Sequence, residues 1–227
     1  MKIAVTGAAG FIGRYVLREL SKHSIDVVAV VRNIETSEFS SFNGEIIQYD
    51  LAQASDNTFE ELGRPDVLIH LAWGGLPNYK SLHHFEEELP KQYTFLSKLI
   101  RSGLSRLVVA GTCFEYGMLS GELSESMMPQ PANPYGYAKN ALRCQLEYLQ
   151  SIHPFSLAWA RLFYLYGDGQ SSKSLFSQFQ TSVKNQATSF DMSHGEQLRD
   201  YLHVRDVALY LVKLALSDQN IGLINIC

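Results

Sequence analysis

The sequence predicts an α/β fold, a doubly wound parallel sheet followed by a small C-terminal lobe. Short apolar runs of strand length alternate with segments whose apolar residues recur at helical spacing. Such alternation is typical of a parallel sheet with helices on both faces. After Tyr166 the sequence becomes rich in turn-forming residues, which indicates the change to a second lobe.

The predicted strands and helices follow one another along the chain. Strands are expected at 2–7, 26–31, 45–49, 66–72, 106–111 and 155–162. Helices are expected at 11–22, 81–102 and 135–152, with Pro90 as a kink or boundary inside the second. We assign residues 1–165 to the sheet domain and 166–227 to the second lobe, whose helix at 204–216 returns to the main domain.

Composition excludes several classes of protein. The formal net charge of −4 and the lack of a long Lys/Arg run argue against binding to nucleic acid or to an anionic membrane. No apolar run reaches the roughly 18 residues of a membrane span, so we expect a cytoplasmic protein. Cys113, Cys144 and Cys227 are too few and too scattered for a disulfide framework or a paired zinc motif, and we expect no metal.

Three glycines lie between the first predicted strand and the first predicted helix, in the segment TGAAGFIG at 6–13. Glycines at this junction permit a tight turn and let the backbone approach a pyrophosphate, while the helix N-terminus offers unpaired N–H groups. The position favours dinucleotide binding over an ordinary turn. The expected contacts with the dinucleotide come from Gly7, Gly10, Phe11, Ile12 and Gly13.

Arg32 bears on the choice between NAD and NADP. The second strand ends near Val31, where an acidic residue would bind the ribose hydroxyls of NAD. Arg32 stands there instead and suits the 2′-phosphate of NADP, which we favour. The alternative is an arginine that faces solvent or stacks on adenine.

Tyr135 and Lys139 are one helical turn apart at the start of a predicted helix, so their side chains share a face. An ammonium beside a phenol favours the phenolate, which allows Tyr135 to act as a proton donor and acceptor. Lys139 is also placed to hold the nicotinamide ribose. Thr112 closes the strand RLVVAG at the edge of the sheet where such folds bind ligands, and its hydroxyl can orient the reacting oxygen.

These motifs together resemble the extended short-chain dehydrogenase/reductase family, which includes nucleotide-sugar epimerases, dehydratases and ketoreductases. The segments that carry the resemblance are TGAAGFIG (6–13), DL (50–51), HLAW (70–73), GTCFEYG (111–117), YGYAK (135–139), RLFYLYGDGQ (161–170) and QLRDYLHVRDVA (197–208). They are spread along the whole chain, so the resemblance implies a Rossmann-like domain with a substrate-binding second lobe.

The resemblance also implies roles for individual residues. Thr112, Tyr135 and Lys139 would form the catalytic set. Asp50 and Leu51 would contact the adenine, and Leu71 and Ala72 would lie beside the cofactor. Arg199 would bind a phosphate of a sugar nucleotide, as bidentate guanidinium recognition permits. The alternative for Arg199 is a salt bridge with Asp200 or Asp206.

Three departures from the family pattern narrow the expected activity. The 4,6-dehydratases carry Asp-Glu after the catalytic threonine, and Cys113-Phe114 stand there in this chain, which argues against dehydration. Tyr164 occupies a substrate-contacting position where many epimerases have asparagine, which argues against a standard galactose-type epimerase. The sequence ends at Cys227, short of the family's usual end, so we expect part of the substrate lobe to be missing.

The expected activity is hydride transfer at C4 of a nucleotide-linked hexose, with a 4-ketoreductase favoured and a 4-epimerase as the alternative. The rival from another class is a non-catalytic NAD(P)-binding sensor or scaffold, which would have no use for three catalytic side chains. A reductase of non-nucleotide ketones is opposed mainly by Arg199. Family members often pair through two long helices, so a homodimer is expected.

Three other features are given ordinary structural interpretations. His83 and Glu87 lie at helical spacing but are too few for a metal site, so we expect a solvated helix face. His203 is expected in the core or at a dimer contact, and Tyr116 is expected to pack against the sheet.

Overall fold

The computed structural model describes residues 1–34, 39 and 42–227. Its strands are β1 (Lys2–Thr6), β2 (Asp26–Val31), β3 (Glu45–Gln48), β4 (Val67–His70), β5 (Arg106–Thr112), β6 (Ser156–Leu162), β7 (Tyr164–Tyr166), β8 (Tyr201–His203) and β9 (Gly222–Ile226). Its helices are α1 (Gly13–Leu20), α2 (Thr58–Glu61), α3 (Leu89–Arg101), α4 (Pro134–Ile152), α5 (Leu175–Lys184) and α6 (Val204–Leu216).

The main sheet has seven parallel strands in the order β3-β2-β1-β4-β5-β6-β9. From β1 the strand order runs outward in both directions, through β2 on one side and β4 on the other. In doubly wound sheets, ligands bind outside the carboxyl ends of the strands at this reversal. The expected fold class is therefore confirmed, and its topology points to the carboxyl ends of β1, β4 and β5.

Helices cover both faces of the sheet because its strands are apolar on both sides. One face packs against α1 and α6, through fully buried side chains such as Val16, Leu20 and Leu211. The other face packs against α3 and α4, through side chains such as Phe95 and Leu142. Burying an aliphatic or aromatic side chain of this size contributes roughly 1.5–3 kcal/mol to the free energy of folding. The two helix layers therefore stabilise the sheet and fix the positions of its strand ends.

The segment predicted as one helix over 81–102 is divided in the structure. A π-helical turn at His84–Glu88 comes first, and α3 begins at Leu89 with Pro90 in its first turn. Proline has no N–H to donate, so it is tolerated where the helix leaves N–H groups unpaired. Pro90 thus marks a boundary, one of the two outcomes expected for it.

Around and after the expected boundary, the chain forms α5 and a separate two-stranded parallel sheet, in which β7 (Tyr164–Tyr166) pairs with β8. The chain then returns to the main domain, since α6 packs on α1 and β9 pairs with β6. The division at residue 165 stays a prediction.

The lobe is attached to α1 by polar and aromatic contacts. The Tyr15 hydroxyl donates to the Asp168 carbonyl at 3.0 Å, and Arg14 donates to the same oxygen at 3.4 Å. The Tyr15 ring also lies edge-on to His203, 6.4 Å between centroids. Within the described ranges, no helix has the length and apolarity needed to cross a membrane.

Candidate active site

The glycine segment forms a tight loop between β1 and α1. Gly7 has a φ of +69°, and a Cβ there would come within 2.9 Å of the Ala72 backbone nitrogen. A Cβ on Gly13 would overlap the carbonyl oxygens of Gly7 and Ala8. Ile12 at the N-cap offers no side-chain acceptor, so no side chain caps the first-turn N–H groups of α1. The N–H groups of Arg14 and Tyr15 already donate to the Gly10 and Ile12 carbonyls. The close backbone packing at Gly7 and Gly13, at the start of a helix, is the feature that fits a bound pyrophosphate.

The residues expected near the adenosine lie along one edge of the sheet. Arg32 is exposed directly after β2, and Asp50 follows the neighbouring β3. The Asp50 carboxylate accepts the Ala52 N–H at 3.0 Å and caps a short turn, while Leu51 is buried below it. These positions agree with contacts to the adenosine half of a dinucleotide, which remain predictions.

Thr112, Tyr135 and Lys139 converge, although they are separated in sequence. Thr112 ends β5, and the hydroxyl of Thr112 accepts the Phe114 N–H at 3.3 Å. Tyr135 and Lys139 are both buried on the first turns of α4, and Lys139 Nζ donates to the Ala110 carbonyl of β5 at 2.9 Å. Helix α4 is anchored here because Asn133 caps it, accepting the Gly136 N–H at 2.8 Å.

Burial governs the protonation of this pair. Burial lowers the pKa of Lys139 to about 7, although the negative charges of Glu115 and Glu88 oppose this shift. Burial also raises the pKa of Tyr135 well above its ordinary value, and a side-chain hydrogen bond with Thr112 offsets part of that rise. Burial therefore favours the neutral forms of both groups near pH 7. The sequence predicted that the ammonium would favour the phenolate, but desolvation outweighs that effect here.

Aromatic rings surround the Tyr135 phenol. The nearest ring centroids belong to His84 at 5.2 Å, Tyr79 at 5.5 Å, Trp73 at 5.9 Å and Phe114 at 6.3 Å. The Tyr79 carbonyl also accepts the Tyr135 N–H at 3.2 Å, so the loop after β4 is joined to α4. This wall excludes water from one side of the phenol and is the physical source of its raised pKa.

A buried ion pair lies beneath Thr112. Glu115 and Arg161 are both fully buried, and Arg161 Nε donates to Glu115 Oε2 at 2.8 Å. The other carboxylate oxygen accepts from the Thr112 backbone N–H and from the Trp159 indole N–H, each at 2.9 Å. Glu115 therefore fixes the backbone of Thr112 from below. Sequence reasoning missed Glu115, because nothing in a linear motif shows that this carboxylate turns inward.

A second buried polar network connects β1 to the loop after β4. His70 makes hydrogen bonds to the Thr6 hydroxyl at 2.8 Å and to Gln92 Oε1 at 2.9 Å. Gln92 in turn donates to Glu88 Oε2 at 2.8 Å, and the same oxygen accepts the Gly74 N–H at 3.0 Å. Burial favours the neutral form of Glu88, but hydrogen bonds from Lys91, Gly74 and Gln92 lower its pKa below the ordinary value. The network ties the glycine-loop strand to the segment HLAW.

Arg199 and Tyr164 come together at the mouth of the second lobe. The Arg199 guanidinium lies over the Tyr164 ring, 4.9 Å from its centroid, and donates to Gln197 Oε1 at 2.9 Å. Its positive charge also reaches Cys113, beside Thr112. The guanidinium is exposed, and its contacts are with Tyr164 and Gln197 rather than with Asp200 or Asp206.

His83, Tyr116 and His203 each contact neighbouring residues of the fold. The two ring nitrogens of His83 lie 3.1 Å from a Glu87 carboxylate oxygen and 3.4 Å from a Glu88 carboxylate oxygen. The described residues hold no cluster of three or more metal-binding side chains. Tyr116 is fully buried, and its hydroxyl donates to Asn225 Oδ1 at 2.8 Å. His203 caps α6 by accepting the Arg205 N–H.

Comparison with known proteins finds relatives that are named for nucleotide sugars or were solved with one. dTDP-6-deoxy-L-talose 4-dehydrogenase (NAD(+)) of Aggregatibacter actinomycetemcomitans is 30% identical over 229 residues, which cover 100% of this chain and 84% of that protein. UDP-glucuronic acid 4-epimerase of Bacillus cereus, solved with UDP-glucuronic acid and NAD, is 25% identical with a TM-score of 0.84 and covers 100% of this chain and 77% of that one. MoeE5, solved with UDP-glucose and NAD, is 29% identical with a TM-score of 0.84 and covers 100% and 76%.

A protein-family model matches almost the whole chain. The model of the NAD dependent epimerase/dehydratase family matches residues 3–227, which include the glycine loop, the end of β5 and the start of α4. The family expected from the sequence motifs is confirmed. The chain belongs to the NAD dependent epimerase/dehydratase family and is an enzyme of the extended short-chain dehydrogenase/reductase type.

Proposed function

We propose that this enzyme transfers hydride at C4 of the hexose of a nucleotide sugar, and that it works as a 4-ketoreductase. The observation that carries the proposal is the convergence of Thr112, Tyr135 and Lys139 at the carboxyl end of β5, beside a loop that fits a dinucleotide. A bound nicotinamide would supply the hydride.

The protein groups divide the remaining work. Tyr135 donates a proton to the C4 oxygen as the carbonyl becomes a hydroxyl, and Thr112 donates a hydrogen bond that orients the same oxygen. Lys139, anchored on the Ala110 carbonyl, holds the ribose and, when charged, supports the phenolate that Tyr135 leaves behind. The aromatic wall keeps water from this proton exchange.

The relatives support chemistry at C4. One relative is named a 4-dehydrogenase, and the reverse of a 4-dehydrogenation is a 4-keto reduction. Dehydration is disfavoured because Cys113 stands where the dehydratases have an acid, and burial raises the pKa of the Cys113 thiol to about 11. A 4-epimerase is the second candidate, supported by the likeness to a UDP-glucuronic acid 4-epimerase.

The direction is tested by supplying reduced cofactor with a nucleotide-linked 4-keto-6-deoxy sugar. Loss of reduced-cofactor absorbance in proportion to product supports reduction. Isomerised sugar without net cofactor use, starting from the 4-hydroxy compound, supports epimerisation. Cofactor binding with neither reaction, over a panel of nucleotide sugars, favours the sensor or scaffold.

Arg199 is the proposed contact for the substrate diphosphate. It lies over Tyr164 at the mouth of the second lobe, where its guanidinium has N–H groups available for a phosphate. Equal KM values for the sugar nucleotide in the parent enzyme and in Arg199→Ala would revive the reductase of non-nucleotide ketones.

Arg32 supports a preference for NADP. It is exposed at the end of β2, on the edge of the sheet where the adenosine ribose is expected. Comparing KM for NADPH and NADH in the parent enzyme and in Arg32→Ala tests this, since loss of the guanidinium should raise only the KM for NADPH.

We also propose a homodimer formed through α3 and α4. Tyr148 and Ile152 lie one turn apart on α4 and are 77% and 73% exposed, so they form adjacent apolar surface that a second copy could cover. Sedimentation equilibrium gives the oligomeric state directly.

A further inference from the structure

The indole of Trp73 covers the ammonium of Lys139. Lys139 Nζ lies 4.0 Å from the centroid of the Trp73 ring, within the distance at which a cation is attracted to an aromatic face. Lys139 is fully buried, so little water competes for its charge. A cation–π contact is stronger in such a desolvated place than at a surface.

The indole is itself held in a fixed orientation. Trp73 Nε1 donates to His84 Nδ1 at 3.1 Å, and the two rings are inclined by 29° with 6.4 Å between their centroids. Because His84 Nδ1 accepts this bond, His84 Nε2 carries the proton and donates to the Asn78 carbonyl at 2.8 Å. The fixed indole also touches Tyr135 edge-on, 5.9 Å between centroids.

An ammonium has three N–H groups, and their surroundings can be assigned here. One is bonded to the Ala110 carbonyl, and the indole face covers a second side. The third is left for a ligand or for Tyr135. We propose that Trp73 is a positioning residue that favours the charged form of Lys139 against the effect of burial and directs its remaining N–H towards the reaction site; this rests on the catalytic role proposed for Lys139.

The other charged and titratable groups near Lys139 come from four elements. Glu115, after β5, and Glu88, before α3, favour the ammonium. His70 of β4 lies close enough for its pKa to be depressed by Lys139, and burial, the larger effect, already keeps it neutral. Tyr135 lies one turn earlier on α4. Glu115 is hydrogen-bonded to Arg161 and Glu88 to Gln92. Among the described residues, the Trp73 indole is the aromatic ring that covers Lys139 Nζ.

The inference is tested first without any substrate. The pH titration of the Lys139 Cε resonance is followed by NMR in protein carrying 13Cε-lysine, and the resonance is assigned by its loss in Lys139→Arg. Removing the ring removes an attraction for the charged form, so Trp73→Leu should lower the pKa of Lys139 by about one unit, and Trp73→Phe, which keeps a weaker ring, by about half as much. Tyr210→Leu on α6, where the ring is 44% exposed and outside the proposed dimer interface, is the matched control and should titrate as the parent does.

The second arm follows the pH profile of kcat/KM for the nucleotide sugar. The alkaline limb should move to lower pH in Trp73→Leu by the shift seen in the titration, with Trp73→Phe again intermediate. Superimposable titrations of the parent and Trp73→Leu would overturn the cation–π contact. A shifted titration with an unmoved alkaline limb would overturn the positioning role. Failure of the proposed function appears separately, as absence of turnover in the parent enzyme, and leaves the titration interpretable.

Discussion

The Thr112 side chain shows how neighbouring residues prepare one hydroxyl for its proposed role. Its oxygen accepts the Phe114 N–H, so the hydroxyl proton is left to donate elsewhere. Its backbone N–H is bonded to buried Glu115, which prevents the end of β5 from turning. The hydroxyl proton is thus available for the Tyr135 phenol oxygen, with which a hydrogen bond lowers the pKa of Tyr135, or for a substrate oxygen.

Replacing Tyr135 by phenylalanine should remove turnover and leave cofactor binding intact. The ring and its aromatic neighbours remain, but the proton donor is lost, and general acid catalysis is typically worth about 10²–10⁴ in rate. The measurement is kcat together with the cofactor Kd by calorimetry. Tyr137→Phe, two residues along α4 and 55% exposed, is the control and should behave as the parent does. Full activity in Tyr135→Phe would refute the proposed mechanism.

Glu115→Gln should destabilise the fold strongly. The amide keeps the shape of the side chain, but the fully buried Arg161 loses its counter-ion, and breaking a buried pair costs about 3–5 kcal/mol. Two Arg161 nitrogens have no hydrogen-bond partner, and the contact that remains in the variant is the Tyr116 ring, whose centroid lies 4.2 Å from the guanidinium carbon. Urea unfolding gives the difference. Glu147→Gln, which breaks a partly exposed pair with Arg143, should cost less than about 1 kcal/mol; equal losses in the two variants would contradict this account.

Among the elements, the β1–α1 junction has a backbone packed so tightly that side chains do not fit at some positions. The loop passes so near its own carbonyl groups and Ala72 that glycine is required at Gly7 and Gly13. The same compactness brings the start of α1 beside the carboxyl ends of β1 and β4. The sequence predicted a tight loop here, because three glycines stand between the first strand and the first helix.

Gly13→Ala should weaken dinucleotide binding far more than a change elsewhere near α1. The added methyl overlaps the Gly7 and Ala8 carbonyl oxygens, so the loop must open and its N–H groups move apart. We expect the cofactor Kd to rise at least about tenfold, the equivalent of 1.4 kcal/mol. Calorimetry measures it, with Lys22→Ala just beyond α1 as the control. An unchanged Kd in Gly13→Ala would mean that the loop does not hold the pyrophosphate.

Elements with a strong local pattern were predicted best. The helix expected at 204–216 is α6, and Thr112 lies at the end of β5 as expected. The partners of β7, β8 and β9 were not predicted, because the pairing of such short strands depends on distant residues. For the site, the sequence indicated Thr112, Tyr135 and Lys139 but not the carboxylates and indole that set their environment, since inward orientation follows from tertiary packing.

For the molecule as a whole, buried polar groups make stability depend on pH. His70 is fully buried, and burial, followed by the charge of Lys139, lowers its pKa from 6.5 to about 3. Between these two pH values the unfolded chain binds a proton that the folded protein does not. Stability therefore falls as the pH drops from 6.5 towards 3, because protonation favours the unfolded state.

His70→Asn should remove this part of the acid sensitivity. Asparagine can still accept the Thr6 hydroxyl proton but does not titrate, so the slope of unfolding free energy against pH should fall by up to about 1.4 kcal/mol per pH unit in that window. Chemical denaturation at a series of pH values measures the slope. His23→Asn, at an exposed position, should keep the parental slope; an unaltered slope in His70→Asn would show that other groups cause the acid sensitivity.

The attachment of the second lobe to α1 has a consequence for the whole enzyme. The helix whose first turn faces the proposed pyrophosphate also holds the Asp168 carbonyl through Tyr15 and Arg14. A dinucleotide that reduces the motion of α1 would therefore also reduce the motion of the second lobe, where we propose that the sugar nucleotide binds. Any such cooperativity must be reciprocal, so each of the two ligands would tighten the other by the same factor.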